Sequence, residues 1–229
     1  AEESKKLVPP PPKAKLALDE DWSSGKIQPK RWYALRKKWG ENNFGVVPEN
    51  LSIVRDTVGG KRRQVLRCEA HGDEYTGPIT GQWRMKKRVG GVLVSKQHFA
   101  SGRFEVVMKI GSEDNPRPKG VVPAIWTYGY RAVKVPGKLA GNFTSIQPLY
   151  NPNIQRWGKG QAFYWSEIDF PEYGKGGKFE RPMYNTWVNS KHQSLSFDVH
   201  GAADGRYHTY TTEWRTGLVP IKGVKDSQV

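Results

Sequence analysis

Three carboxylates crowd into six residues of the run Trp165-Ser166-Glu167-Ile168-Asp169-Phe170-Pro171-Glu172, whose other members favour an extended backbone. Alternate residues of a strand share a face, so Trp165, Glu167 and Asp169 point one way and Ser166, Ile168 and Phe170 the other. Glu172 comes three residues after Asp169 and would fall on the wrong side. A β-bulge adds one residue and restores the phase. Pro171 has no N–H to give a sheet ladder and sits where a bulge tolerates it. The run therefore predicts three acids and a Trp on one face of a bulged strand. At about 3.3 Å per residue, Glu167 and Glu172 can meet at one bond only if the strand curves with this face concave. A bent sheet forming a cleft is the expected consequence.

The rest of the chain agrees with an all-β fold. Among 229 residues, 25 Gly and 16 Pro punctuate short runs of Val, Ile, Phe, Tyr and Trp. That pattern predicts a sandwich or barrel, which at this length forms one large domain. Strands are expected at Leu51–Arg55, Gln64–Ala70, Gly91–Ser95, Gly102–Ile110, Val122–Tyr128, Trp165–Phe170, Met183–Val188, Leu195–Asp198 and His208–Trp214. In Gly102–Ile110, Phe104, Val106, Met108 and Ile110 alternate with charged residues, as in a half-buried antiparallel strand. Arg131 to Gly160 reads as a long loop, and loops of that size are usually functional. Residues 1–18 hold four consecutive prolines, Pro9 to Pro12, and read as an extended arm, with the domain (19–229) beginning near Asp19-Glu20-Asp21-Trp22.

The formal net charge is +15, much of it in blocks such as Lys61-Arg62-Arg63 and Arg84 with Lys86-Lys87-Arg88. Nucleic acid, an anionic surface and an anionic polymer all suit such a chain, and solvated basic loops are the plain alternative. No nucleic-acid-binding module accompanies the charge, which ranks an anionic glycan first. Cys68 is alone, so no internal disulfide forms, and its place in an alternating run reads as a small buried hydrophobe. No apolar run approaches membrane-spanning length. The start at Ala1 fits a processed secreted protein or a trimmed chain equally well.

Glu167-Ile168-Asp169-Phe170-Pro171-Glu172 matches the Glu-x-Asp-x-x-Glu signature of glycoside hydrolase family 16. Four other segments resemble that family in its own order: Asn42–Asn50, Ser101–Glu105, Pro123–Trp126, and Tyr207–Tyr210 with Glu213-Trp214. Together they span about residues 19–216. The resemblance implies a jelly-roll sandwich of two antiparallel curved sheets with substrate in a concave cleft. It implies a secreted, monomeric, endo-acting retaining glycosidase that cleaves a β-linked polysaccharide by double displacement and needs no cofactor. By family role Glu167 is the nucleophile, Glu172 the acid/base and Asp169 the assisting carboxylate. The bulged spacing is that of the laminarinase, agarase, carrageenase and porphyranase branches, and the basic charge tilts the substrate toward a sulfated galactan. Transglycosylation by the same acids and a catalytically silent lectin-like domain are the alternatives. Some relatives carry a structural calcium, for which no ligands are assigned, and no catalytic-metal spacing occurs.

Around the acids, Trp165 is expected to line the cleft and stack on sugar C–H faces. Trp126 and Trp214 stand where relatives place cleft aromatics, or else pack in the core. Trp187 stands where many relatives have a His, and His192 is the candidate to fill that role. Trp83, beside Arg84 and Lys86-Lys87-Arg88, suits a rim that stacks a sugar and pairs with sulfate. His208 reads as structural. The family normally continues through several more strands beyond Glu213-Trp214, so its final strands are expected to lie outside this chain.

Overall fold

The computed structural model describes residues 15–38, 45–71, 75–77, 89–99, 102–134, 161–188 and 191–214. Among them the chain is all-β, its only helical pieces being the 3-10 turns Pro48–Asn50 and Lys175–Gly177. β1 (Trp32–Ala34) will pair with a later strand; β2 (Lys37–Lys38) and β3 (Gly45–Val46) are antiparallel neighbours. β4 (Leu51–Val58) and β5 (Lys61–Cys68) form a hairpin. Its two-residue turn, Gly59-Gly60, has φ of 55° and 76°, the positive values that a tight hairpin turn needs and glycine supplies. β6 (Val89–Gly90) runs parallel to β3, and β7 (Leu93–Ser95) antiparallel to β1.

Two further units position the carboxylates. β8 (Gly102–Lys109) will pair with the last strand; β9 (Ala124–Lys134), β10 (Gln161–Glu172), β11 (Met183–Val188) and β12 (Lys191–Ser196) make a four-stranded antiparallel sheet. β13 (Tyr207–Trp214) lies against β8 along its whole length, from Tyr207 opposite Lys109 to Trp214 opposite Gly102. The structure extends several expected strands: β4 runs on to Val58, β10 spans Gln161–Glu172, and β9 runs to Lys134, so Arg131 to Lys134 are sheet rather than loop. It also moves another, because β12 covers Lys191–Ser196 where Leu195–Asp198 was expected. The ladder to β11, with Lys191 opposite Val188, draws a polar stretch into sheet that its own propensity would not favour. Residues 1–14 of the Pro-rich arm, residues 135–160 of the expected loop and residues 215–229 lie outside the described residues.

The core sits directly behind the end of β10. Ile110, Tyr173, Phe179, Ala202 and Ala203 pack together, with Met108, Val199 and Tyr210 against them. Ile110, in that core just past the end of β8, is 1% exposed, whereas Val106, on the same alternation, is 36% exposed. The Phe104 ring lies 6.2 Å from that of Phe170, and Tyr210 meets Tyr173 edge-on at 6.1 Å. The β8–β13 pair thus covers the Phe170 side of β10, the side opposite the acids. Asp56 staples the β4–β5 hairpin to this pair by accepting from Lys109 Nζ at 2.5 Å and Tyr207 Oη at 2.9 Å. The Lys109 ammonium holds the Asp56 carboxyl down at about 2. Near the start of the described chain, Glu20 accepts from Trp32 Nε1 at 2.8 Å and pairs with Arg31 at 3.2 Å. Cys68, expected to be buried, is exposed at the end of its strand, opposite Leu51, although its surroundings still push the thiol up to about 11.

Phe170 joins the two units, and its truncation leaves a cavity between them. Phe170→Ala is expected to cost about 3–5 kcal/mol, read as a lower urea midpoint with unchanged slope.

Candidate active site

β10 carries the bulge that its sequence demands. Asp169 stands opposite Asn185 on β11 and Trp126 on β9. Glu172, three residues later, stands opposite Met183 and Ala124, each only two residues along its own strand. The extra residue of β10 resets the phase and returns Glu172 to the face of Glu167 and Asp169. The Phe170–Pro171 peptide within the bulge is cis. Immediately beyond, Tyr173 is fully buried and its N–H donates to the Pro123 carbonyl at 2.9 Å, which ties the end of the strand to the core.

Residues opposite one another in antiparallel strands share a face. The register therefore gathers Trp126 and Tyr128 from β9, Asn185 and Trp187 from β11, and His192 and Ser194 from β12 around the carboxylates. Asn185 is the hub. It is 2% exposed, and its Nδ2 donates to Asp169 Oδ2 at 3.1 Å and to Glu172 Oε2 at 2.7 Å. Its Oδ1 accepts from Ser194 Oγ at 2.6 Å, so the hydroxyl fixes which way the amide faces. Lys175, on the turn after β10, places Nζ 3.3 Å from Glu172 Oε2.

Burial raises the proton affinity of all three acids. Glu167 rises furthest, to about 8, through burial first, then the charge and hydrogen bond of Asp169 and the charge of Glu172. Asp169 is also raised by burial, but hydrogen bonds from Asn185, Glu167 and Trp187 favour its anion. The only side-chain donor of Trp187 is its indole N–H, which therefore points at Asp169. Glu167 and Asp169 titrate as one unit. The donors gathered on Asp169 leave the shared proton on Glu167, which donates it to Asp169. Glu172 is raised by burial and by Asp169, with Lys175 and Asn185 opposing. The arrangement holds protonated and ionised carboxyls side by side near neutral pH, as acid–base chemistry requires.

The other expected site residues divide. Trp187 lies opposite Glu167, and His192 stacks on it with ring centroids 4.2 Å apart. His192 itself is exposed and reaches the acids only through that ring. Trp126 faces the site half-buried, edge-on to Tyr128 at 5.9 Å. Trp214 is not brought there: it shares the β13 face of Tyr210, which packs toward the core on the opposite side of β10. His208 pairs with Asp204 at 2.9 Å, a local contact away from the acids. Trp165 falls opposite Tyr130 in the ladder, but its side chain, like the whole of Trp83, lies outside the described residues. Among the described residues no group of three His, Cys, Asp or Glu side chains is arranged to hold a metal.

Asn185, Ser194 and Tyr128 were not anticipated from sequence. Asn185 left a signal, an amide in the middle of an otherwise β-favouring run two residues before Trp187. Tyr128 left one too, two residues after Trp126 on the same alternation. Ser194 left none, because β12 was expected further on.

The folded chain binds the Glu167 proton more tightly than the unfolded chain. Its contribution to stability is therefore full at low pH and lost as pH rises from the ordinary carboxyl range to about 8. Glu167→Gln keeps the neutral shape and removes the titration. Its thermal midpoint is expected to match the parent's near about pH 5 and exceed it near about pH 9; an offset constant with pH would contradict the shift. Asn185→Ala strands two buried acceptors and is expected to cost about 1–3 kcal/mol in urea unfolding.

No protein-family model matches the chain, and no curated protein is similar to it.

Proposed function

We propose that the protein is a retaining, endo-acting glycoside hydrolase of β-linked polysaccharides. The observation that carries this reading is the bulge in β10, which returns Glu172 to the face of Glu167 and Asp169 and lets one amide hold two of the three acids. The five segments that resemble glycoside hydrolase family 16 support the same reading, as do the aromatic side chains of Trp126, Tyr128 and Trp187 beside the acids. The finer architecture we propose is that family's jelly roll, with the acid face as the concave side. A polymeric glycan substrate suits a secreted monomer, and the +15 charge suits an anionic one such as a sulfated galactan.

The steps take each acid in the role that the family resemblance gives it. In the first step Glu167 attacks the anomeric carbon as Glu172 gives its proton to the departing glycosidic oxygen. Glu167 must be ionised to attack, and Asp169, already accepting its hydrogen bond, takes the proton as the bond forms. Asn185 and Trp187 keep donating to Asp169 throughout and hold it in place. In the second step Glu172, now a carboxylate, removes a proton from water, which attacks the same carbon and releases Glu167 as a carboxylate that takes its proton back from Asp169. Configuration is retained because the carbon is inverted twice. An acceptor sugar in place of that water gives transglycosylation by the same route.

A reducing-end assay across neutral and sulfated β-glucans and galactans tests the reading. Products of intermediate length are expected from at least one polymer, and Glu167→Gln is expected to lower the rate by about 10³-fold or more, the scale on which nucleophile loss is felt. Binding without cleavage would indicate a lectin-like domain, and equal rates in the variant would remove Glu167 as nucleophile.

A further inference from the structure

The Lys175 ammonium beside Glu172 is out of place in a site that needs a general acid. A cation in contact with a carboxyl favours its ionised form, and Lys175 lowers the proton affinity of all three acids although it touches Glu172 alone. Stability does not explain it. Its side chain is 51% exposed and among the described residues makes one contact of 3.3 Å, the kind of exposed pair that contributes about 0–1 kcal/mol. An ammonium has three donors, and this contact occupies one.

The turn that carries Lys175 is built rigidly. Gly174 has φ of +75°, and a Cβ there would come within 2.4 Å of the Val121 carbonyl oxygen. Gly174 also donates to the Lys178 carbonyl at 2.9 Å and accepts from Gly177 N–H at 2.8 Å. The next two residues are glycines, Gly176 and Gly177, and a Cβ on either would meet nothing within 4 Å. The base of the turn is thus held in place, and among the described residues nothing crowds Gly176 or Gly177. Around Glu172 the charged neighbours are Glu167 and Asp169 from β10 and Lys175 from the turn, while β11 contributes the neutral Asn185 and β9 places Ala124 opposite. Three carboxyls repel an anionic sugar, and among the described residues Lys175 is the cation in contact with one of them, Glu172.

We propose that Lys175 reads an anionic substituent, a sulfate ester or a carboxylate, on the sugar at the leaving-group side of Glu172, and that this contact draws the ammonium off the acid. The proposal rests on the glycosidase reading and adds the residue and the side of the cleft where charge is recognised. An anion at Lys175 weakens the field that opposes protonation of Glu172. The polymer that carries the charge thereby favours the acid form that cleaves it, and a neutral polymer does not.

Two measurements on β-linked oligosaccharides of equal length, one neutral, one sulfated and one containing uronate, test this. In calorimetric binding to Glu167→Gln protein, the sulfated or the uronate oligomer is expected to bind about tenfold or more tighter than the neutral one, the worth of a charge-assisted contact. Adding Lys175→Met is expected to abolish that preference, and Lys175→Arg to keep most of it. In turnover by protein with Glu167 intact, Lys175→Met is expected to lower kcat/KM on the anionic oligomer and shift the alkaline limb on the neutral one to higher pH. Which anionic arm responds identifies the substituent. An anionic-to-neutral binding ratio unchanged by Lys175→Met overturns the proposal. Absence of turnover in every arm overturns the glycosidase reading separately, since binding is measured without it.

Discussion

The hydrogen bonds of one buried amide hold the acid face together. Asn185 spends both N–H groups on carboxylates, and neither carboxylate could be kept at that depth without a donor. The amide reaches both because the bulge brings Glu172 back by one residue, and the bulge is held because Tyr173 is anchored in the core immediately behind it. Removing any part of this series leaves the others unsupported. The hydroxyl of Ser194 completes it from the next strand, so three adjacent strands cooperate in a single polar cluster.

The two faces of β10 do opposite work. Ile168 and Phe170 look toward the β8–β13 pair, where Phe104 and Tyr210 supply aromatic cover. Glu167, Asp169 and Glu172 look away from it. Strand alternation alone separates an apolar back from an acidic front, and the bulge extends that separation past the point where alternation would fail. The acids thus rest on a packed support, and their own burial raises their proton affinity.

Much of this was legible from local pattern. The bulge followed from the spacing of Asp169, Pro171 and Glu172, and the β-strands followed from runs of β-branched and aromatic residues between glycines and prolines. What was not legible depended on partners distant in sequence. β12 takes its bounds from the β11 ladder, not from its own composition, which hid Ser194 and displaced the expected strand. Trp214 resembles a cleft residue in its motif, yet which side of its strand faces the core is decided by Tyr210 meeting Tyr173.

One amide nitrogen serving two acids also bears on how such a site can change over generations. A substitution at Asp169 alters what Asn185 offers to Glu172, and one at Glu172 alters what it offers to Asp169. The two positions are not free to drift singly, since each is tolerated or rejected according to the state of the other. Sequences descended from this one would have to exchange the amide, its hydroxyl clamp and both carboxylates as a set, or keep all four.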